Sequence, residues 1–230
     1  MTRRSGTAAA WWRTLEDVTK VEDVVTVRGE RDLFERTGHL FAAATEIACA
    51  ANDMHTWSAT RPTTMRAENV RGRKVRKVYL PRVLLDPASA AHLREITALG
   101  AQVRVTEREI NETILLDQRI AILAAEVTPD GRSYTVLSRP DLVNGIRSLF
   151  EVAWRSATDL ATYEVRFDEL RQFTPQILDL LSSGCTDETA ARTMGVGLRT
   201  YRRRVAELMA ALGATSRFQA GARAREAGLL

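Results

Sequence analysis

The sequence predicts an α+β or α/β domain followed by an all-α C-terminal domain. Strand-like patterns occur only between residues 75 and 137, helical spacing lies on both sides of them, and no strand pattern follows Ala161. A chain that changes from a spacing of two to one of 3.6 residues has mixed secondary structure. We therefore expect three parts: an N-terminal tail or helix at 1–30, a mixed domain at 31–160, and a helical domain at 161–230.

The charge pattern narrows the class of protein more than the total charge does. The 230 residues are 45% hydrophobic, enough for a core, and carry a net charge of +4. Residues 192–225 contain eight arginines and one acid, and residues 66–82 contain seven basic residues and one acid. A local basic excess suits a nucleic-acid surface. For 66–82, a solvated loop and an edge strand are the simpler explanation.

The two cysteines, Cys49 and Cys185, are far apart and have no metal-ligand neighbours. We therefore expect no disulfide, as is usual in a reducing cytoplasm. No metal site or cofactor is expected either. No apolar run reaches the roughly 18–20 residues that span a bilayer, and the N-terminus lacks the apolar core of a signal peptide. The sequence thus favours a cytoplasmic protein without a membrane partner.

Helical spacing in the first half predicts one helix over 32–54 and a second over 87–99. Asp86 as N-cap, Pro87 at the first helical position and Gly100 after the last turn frame the second helix. Trp11 and Trp12 begin a possible amphipathic helix, and residues 55–70 predict a loop. A linker is expected near 158–168.

Five strands and one helix complete the mixed domain. The strands are expected at 75–80, at 101–106, in a hairpin of 113–116 with 120–123 whose polar turn is 117–119, and at 134–137. Ser138 and Asp141 have capping-box spacing and predict the start of a helix. The expected apolar face of this helix is Leu142, Ile146, Leu149, Phe150 and Trp154.

The segment from Cys185 to Leu212 predicts a short helix, a tight turn and a longer arginine-rich helix. Thr186 can cap the short helix, with Asp187 and Glu188 in its first turn, where the helix dipole favours acids. Gly195 to Gly197 form the turn. The longer helix, from about 198 to 212, has its expected buried side at Tyr201, Val205, Leu208, Met209 and Leu212, and its arginines on the other side.

These residues resemble the LuxR-type (GerE/NarL-like) helix-turn-helix family. The likeness covers about 170–230 and depends on the Ala190-Ala191 pair, the Met194–Gly197 turn, Ala211-Leu212-Gly213, and the tail from Ser216 to Ala220. It implies a tetrahelical domain whose fourth helix, at about 216–227, mediates dimerisation. This sequence departs from the family at Thr174 and Thr189, where acids are usual, and at Gly197, where a serine or threonine cap is usual. From the residues alone, the first helix would begin at Thr174-Pro175.

The resemblance also implies which side chains bind DNA. Arg202 and Arg203 would face base edges in the major groove, and Arg199, Thr200 and Arg204 would contact phosphates or the groove wall. The sixth residue implied is Arg217, in the family-specific tail. The alternative is a solvated arginine-rich helix on a protein-interaction module that never contacts DNA.

Residues 65–160 resemble the phospholipase-D-like sensor domain that precedes helix-turn-helix units in actinobacterial and TrmB-type regulators. The closest segments are Leu116–Ala121 and Leu149–Trp154. The resemblance implies a small mixed sheet with flanking helices. The catalytic motif of that family needs a histidine followed two residues later by lysine, and neither His39, His55 nor His92 has one. We therefore expect no enzyme activity, with a phosphodiesterase as the alternative.

Together these features predict a transcription regulator that binds promoter DNA as a dimer in the nucleoid. The expected partners are double-stranded DNA and a second copy of the chain. An unidentified small-molecule ligand and RNA polymerase are further candidates. Asp86, Asp117 and Glu151 could line a pocket, but a helix cap, a turn and a solvated helix face explain them more simply.

Overall fold

The computed structural model describes residues 23–54, 70–128 and 131–230. The expected helix at Trp11 and Trp12 and nearly all of the expected loop at 55–70 lie outside these residues. The strands are β1 (Val24–Arg28), β2 (Glu46–Ala51), β3 (Lys74–Tyr79), β4 (Gln102–Val105), β5 (Thr113–Leu116), β6 (Ile120–Thr128), β7 (Gly131–Leu137) and β8 (Thr158–Asp159). The helices are α1 (Glu30–Ala43), α2 (Pro87–Ala98), α3 (Pro140–Ser156), α4 (Leu160–Ser182), α5 (Asp187–Thr193), α6 (Leu198–Ala211) and α7 (Arg217–Glu226).

The strands form one mixed sheet in the order β1-β7-β6-β5-β2-β3-β4-β8. Strands β2, β3 and β4 are parallel, and all other neighbours are antiparallel. Helix α3 packs on one face, over Ala48, Ala50 and Leu115. The opposite face packs against α1, α2 and the first half of α4. A mixed sheet with flanking helices is thus confirmed, and at eight strands it is larger than expected.

The expected helix over 32–54 is wrong in its second half. Helix α1 ends at Ala43, where Ala44 adopts an extended conformation, and Glu46–Ala51 forms β2 in the middle of the sheet. All residues of β2 after Glu46 are buried. A strand covered on both faces is apolar at every position, so a short run of this kind does not show the alternation that distinguishes a strand from a helix.

Other expected elements are confirmed with their local causes. Helix α2 begins after Asp86, whose carboxylate accepts hydrogen bonds from the backbone N–H of Ala88 and Ser89. The β5–β6 hairpin turns at Asp117 and Gln118, which have φ of 48° and 57°. Asp117 Oδ1 also accepts hydrogen bonds from Thr45 N, Thr45 Oγ1 and Glu46 N, each at 2.8 Å. The turn is therefore tied to the start of β2.

Helix α3 forms where expected, but not through a capping box. Its N-cap is Arg139, with no side-chain hydrogen bond to the helix. Asp141 instead pairs with Arg139 at 2.8 Å. The buried side is Val143, Phe150 and Trp154, whereas Leu149 is 67% exposed. Glu151 pairs with Arg76 at 2.7 Å rather than facing only solvent.

No linker occupies 158–168. Residues 158–159 form β8, and α4 then continues without a break for 23 residues with Pro175 inside it. The expected helix start at Thr174-Pro175 is therefore wrong. Proline removes one backbone donor, but the buried contacts of Leu170, Ile177 and Leu178 on both sides of it stabilise the helix.

Two further expectations are corrected at the sheet edges. Residues 24–28, expected in an N-terminal tail or helix, form β1 and pair with β7 along their whole length. Strand β3, expected at an edge, lies between β2 and β4, because its apolar residues Val75, Val78 and Tyr79 are buried. The division of the chain into domains near residue 160 stays a prediction.

Candidate nucleic-acid interface

Helices α5 and α6 form the compact pair expected from the sequence. The Thr186 hydroxyl accepts a hydrogen bond from Thr189 N and caps α5. Ala190 and Ala191 are buried, and their small side chains allow α5 to approach α6 closely. The chain turns at Gly195, whose φ is +64°. Helix α6 begins after Gly197, which offers no side-chain cap.

Helix α6 has a fully buried side and an exposed side. The buried residues include Tyr201, Val205 and Leu208, each at most 3% exposed, as expected. Leu212, just after the helix, is also buried, and Met209 is half-buried. The exposed side carries Arg199, Arg202 and Arg203, and Thr200 is half-buried beside them. Three guanidinium groups thus share the first half of one helix, with Arg202 beside Asp187 and Glu188 and Arg203 beside Glu207.

A single carboxylate organises two of the expected DNA-binding arginines. Asp187 Oδ2 accepts a hydrogen bond from Arg202 Nε at 2.9 Å, and its Oδ1 lies 2.7 Å from Arg217 Nη1. The Arg217 guanidinium holds the pKa of Asp187 below its usual range, against the opposing effect of burial, and Arg202 adds to this. Both arginines remain about half exposed. Asp187 thus fixes their orientation and leaves them accessible.

Arg204 does not belong to the exposed surface, which corrects the expectation that it contacts phosphate. Its side chain is 10% exposed. Its Nη2 donates to Glu169 Oε1 at 2.7 Å, and its Cζ lies 3.5 Å from the Phe173 ring centroid. Helical spacing turns residue 204 towards α4, because it lies three residues after the buried Tyr201. Arg204 therefore joins α6 to α4.

Arg203 lies near the sheet-containing part of the chain. It pairs with Glu207 at 3.2 Å and, with Ala210, lines a cavity of about 230 Å³ that Glu107 and Tyr163 border from the other side. Tyr163 donates its hydroxyl hydrogen bond to Glu107 at 2.9 Å. The exposed side of α6 thus lies next to an acidic loop as well as to solvent.

Helix α7 lies where the sequence predicts a helix at about 216–227. Ser216 caps it by accepting a hydrogen bond from Gln219 N. Ala220 and Ala224 are buried, whereas Phe218 is 89% exposed. Arg223 donates to the carbonyl oxygens of Leu212 and Gly213 and so joins α7 to the end of α6.

The partners that hold the arginines have no recognisable signal in the sequence. Asp187 was interpreted only as a helix-dipole residue, although Arg202 and Arg217 both contact it. Glu169 and Phe173 lie on α4, ahead of the helix start that the residues alone predict at Thr174-Pro175, so their role towards Arg204 had no local signal. Within the described ranges, no group of three His, Cys, Asp or Glu residues is placed to hold a metal ion. Among the helices of those ranges, none is both long and apolar enough to cross a membrane.

Comparison with known proteins gives one curated relative. The chain is 31% identical over 163 residues to the bialaphos biosynthetic pathway regulatory protein of Streptomyces hygroscopicus, and the match covers 70% of this chain. It spans 63% of the length of that relative. No protein-family model matches the chain.

Several solved structures are similar to part of this chain. The archaeal chromatin protein TrmBL2 aligns with a TM-score of 0.48 at 17% identity. The alignment covers 65% of this chain and 62% of the TrmBL2 chain. The phospholipase D family member Nuc of Salmonella typhimurium aligns with a TM-score of 0.47 at 17% identity. The alignment covers 59% of this chain and 96% of the Nuc chain. NucT of Helicobacter pylori aligns with 0.46 at 12% identity, over 59% of this chain and 99% of its own.

Proposed function

We propose that this chain is a sequence-specific DNA-binding transcription regulator that inserts α6 into the major groove. The observation that carries the proposal is the exposed arginine cluster at the start of α6, formed by Arg199, Arg202 and Arg203. A helix packed on its other side and exposing its N-terminal half is what a helix-turn-helix protein presents to base edges. The relative of 31% identity is named as a pathway regulatory protein, which supports a regulatory role.

Each exposed residue has a distinct role in this proposal. Arg202 and Arg203 contact base edges, since arginine donates two hydrogen bonds to guanine and distinguishes it from other bases. Arg199, Thr200 and Arg217 contact the phosphate backbone, which fixes register without sequence information. Arg204 has no DNA contact, because its guanidinium is enclosed by Glu169 and Phe173.

The proposal includes a homodimer. One helix contacts too few base pairs to specify a promoter, and a dimer doubles the site. On α7, the exposed ring of Phe218 supplies an apolar side chain for an interface. An exposed aromatic side chain of this kind is enriched in subunit interfaces.

We also propose that the sheet-containing part does not hydrolyse phosphodiesters. His39 and His92 lie on α1 and α2, the helices packed on the sheet face opposite α3. His92 lies 3.6 Å from Glu95 one turn later on the same helix. The test is hydrolysis of bis(p-nitrophenyl) phosphate by the parent chain and by His92→Ala. Hydrolysis by the parent that is lost in His92→Ala would contradict this proposal.

The test of DNA binding uses the full chain and selects sites from random duplex DNA, followed by binding titrations of the selected site. We expect a selected two-part site and an affinity that falls steeply with salt, because each phosphate contact releases counterions. The matched control is Arg31→Ala, which removes an exposed arginine 91% accessible on α1. If no sequence is enriched, or if affinity is independent of salt, the proposal is wrong and the helices form a protein-interaction module.

A further inference from the structure

Within residues 23–54, 70–128 and 131–230, α3 covers only part of the sheet face on which it packs. Strands lie about 4.8 Å apart and a helix with its side chains is about 10 Å wide, so one helix cannot cover eight strands. In the described part of the chain, α3 is the helix whose side chains pack on this face. Beyond its edge, α3, the loop after β4, the start of β5 and the middle of β6 line a cleft of about 440 Å³.

The walls of this cleft are mainly apolar. Ile146, Leu149 and Val152 line it from α3, and Leu123 lines it from β6. Leu149 is 67% exposed and Val152 is 54% exposed. Large apolar side chains left open around a concave surface are typical of ligand sites, and the volume lies in the usual range for such sites.

The polar groups of the cleft come from the loop after β4. Glu112 is 4% exposed and accepts a hydrogen bond from Asn52 N at 3.1 Å, and its other oxygen pairs with Arg132. Arg108 and Glu109 line the cleft from exposed positions. The lining thus contains one cation and two carboxylates, and Arg132 already neutralises one of these carboxylates, that of Glu112. An anion such as a phosphodiester would lie beside carboxylates with no surplus of positive charge, so the cleft favours a ligand without negative charge.

We propose that this cleft binds a small, mainly apolar molecule that carries no negative charge. Its apolar body packs against Ile146, Leu149 and Val152, and its polar end lies near Glu112. The inference does not depend on DNA binding, because the cleft contains no residue of α5, α6 or α7. A dye titration and a DNA titration therefore test separate statements.

Two dyes with the same aromatic body test the proposal on the full chain. N-phenyl-1-naphthylamine is uncharged, and 8-anilino-1-naphthalenesulfonate adds a sulfonate. We expect saturable fluorescence enhancement by the uncharged dye at one site per chain, with an affinity about tenfold higher than that of the sulfonate. Two variants should each lower the affinity for the uncharged dye by about tenfold. They are Ala153→Trp, which fills the cleft from α3, and Leu149→Ser.

The control is Val165→Ser, which removes an apolar side chain 80% exposed on α4, outside the cleft. It should leave dye affinity unchanged, and circular dichroism should show that all three variants are folded. Absence of saturable binding, equal affinity for both dyes, or unchanged binding in Leu149→Ser and Ala153→Trp overturns the proposal. So does a change of oligomeric state in these two variants by analytical ultracentrifugation, because the cleft would then be covered by a second copy.

Discussion

Arg202 on α6 and Arg217 at the start of α7 contact opposite oxygens of the same carboxylate, that of Asp187 on α5. The two distances are 2.9 and 2.7 Å. Three helices therefore meet at one charge cluster on the proposed DNA surface. A fixed arginine loses less side-chain entropy when it binds, so this cluster pre-organises the surface for recognition.

Asp187→Asn should lower the free energy of unfolding by about 1 kcal/mol, since the pair is partly exposed. The loss should depend on pH. A carboxylate with a lowered folded pKa stabilises the fold above its unfolded pKa, near 3.8, and the stabilisation is lost as pH falls through the folded value. Urea denaturation should show a constant difference between variant and parent from about pH 5 upward. The difference should vanish at lower pH; a difference that persists there would contradict the prediction.

Arg202→Ala should lose sequence preference as well as affinity. A bidentate contact to guanine contributes about 1–3 kcal/mol of discrimination, so the ratio of selected to random DNA affinity should fall about five- to 150-fold. Competition titrations with both DNAs measure this ratio. Arg199→Ala removes a proposed phosphate contact and should lower the affinity for both DNAs by the same factor. If Arg202→Ala binds both DNAs in the parental ratio, Arg202 makes no base contact.

Arg204→Ala should affect stability and not DNA recognition. It removes a guanidinium stacked on Phe173 and leaves Glu169 without its partner, at a cost of about 1–3 kcal/mol in the free energy of unfolding. Denaturant unfolding measures the loss. At a temperature where the variant is folded, the salt dependence of DNA binding should equal that of the parent. A weaker dependence of DNA affinity on salt concentration in the variant would instead show that Arg204 contacts a phosphate.

Asp117→Ala should destabilise the sheet by about 1–3 kcal/mol, because three donors of Thr45 and Glu46 lose their acceptor. Asp117→Asn retains an acceptor oxygen and tolerates the positive φ of this turn, so it should lose less. Thermal unfolding of the two variants gives the comparison. Equal losses would show that the three hydrogen bonds contribute little beyond the charge.

The sequence predicted elements whose signals are local. The hairpin at Asp117, the cap at Asp86 and the α5–α6 pair all depend on neighbouring residues, and all three are present. Strand β2 and helix α4 were missed because their conformation depends on distant contacts. Burial on both faces makes Glu46–Ala51 a strand, and packing on both sides of Pro175 keeps α4 continuous.

In the candidate site too, some side-chain positions follow from local spacing and others depend on distant contacts. The exposed positions of Arg199, Arg202 and Arg203 follow from helical spacing against the buried Tyr201 and Val205. The burial of Arg204 depends on Phe173 and Glu169, 31 and 35 residues earlier in the chain. A periodic pattern indicates which side of a helix is apolar, but it cannot show which charged residue at the boundary finds a partner on another helix.

Helix α4 gives the chain a mechanical property. Its first half packs on the sheet through Leu160 and Tyr163, and its second half packs under α6 through Ile177 and Leu178. One continuous helix, not a loop, therefore joins the two ends. Inserting a single residue near its middle would rotate one end relative to the other by about 100° and shift it by about 1.5 Å. In the proposed dimer, such a rotation would change the direction in which each sheet-containing part lies relative to the two DNA half-sites.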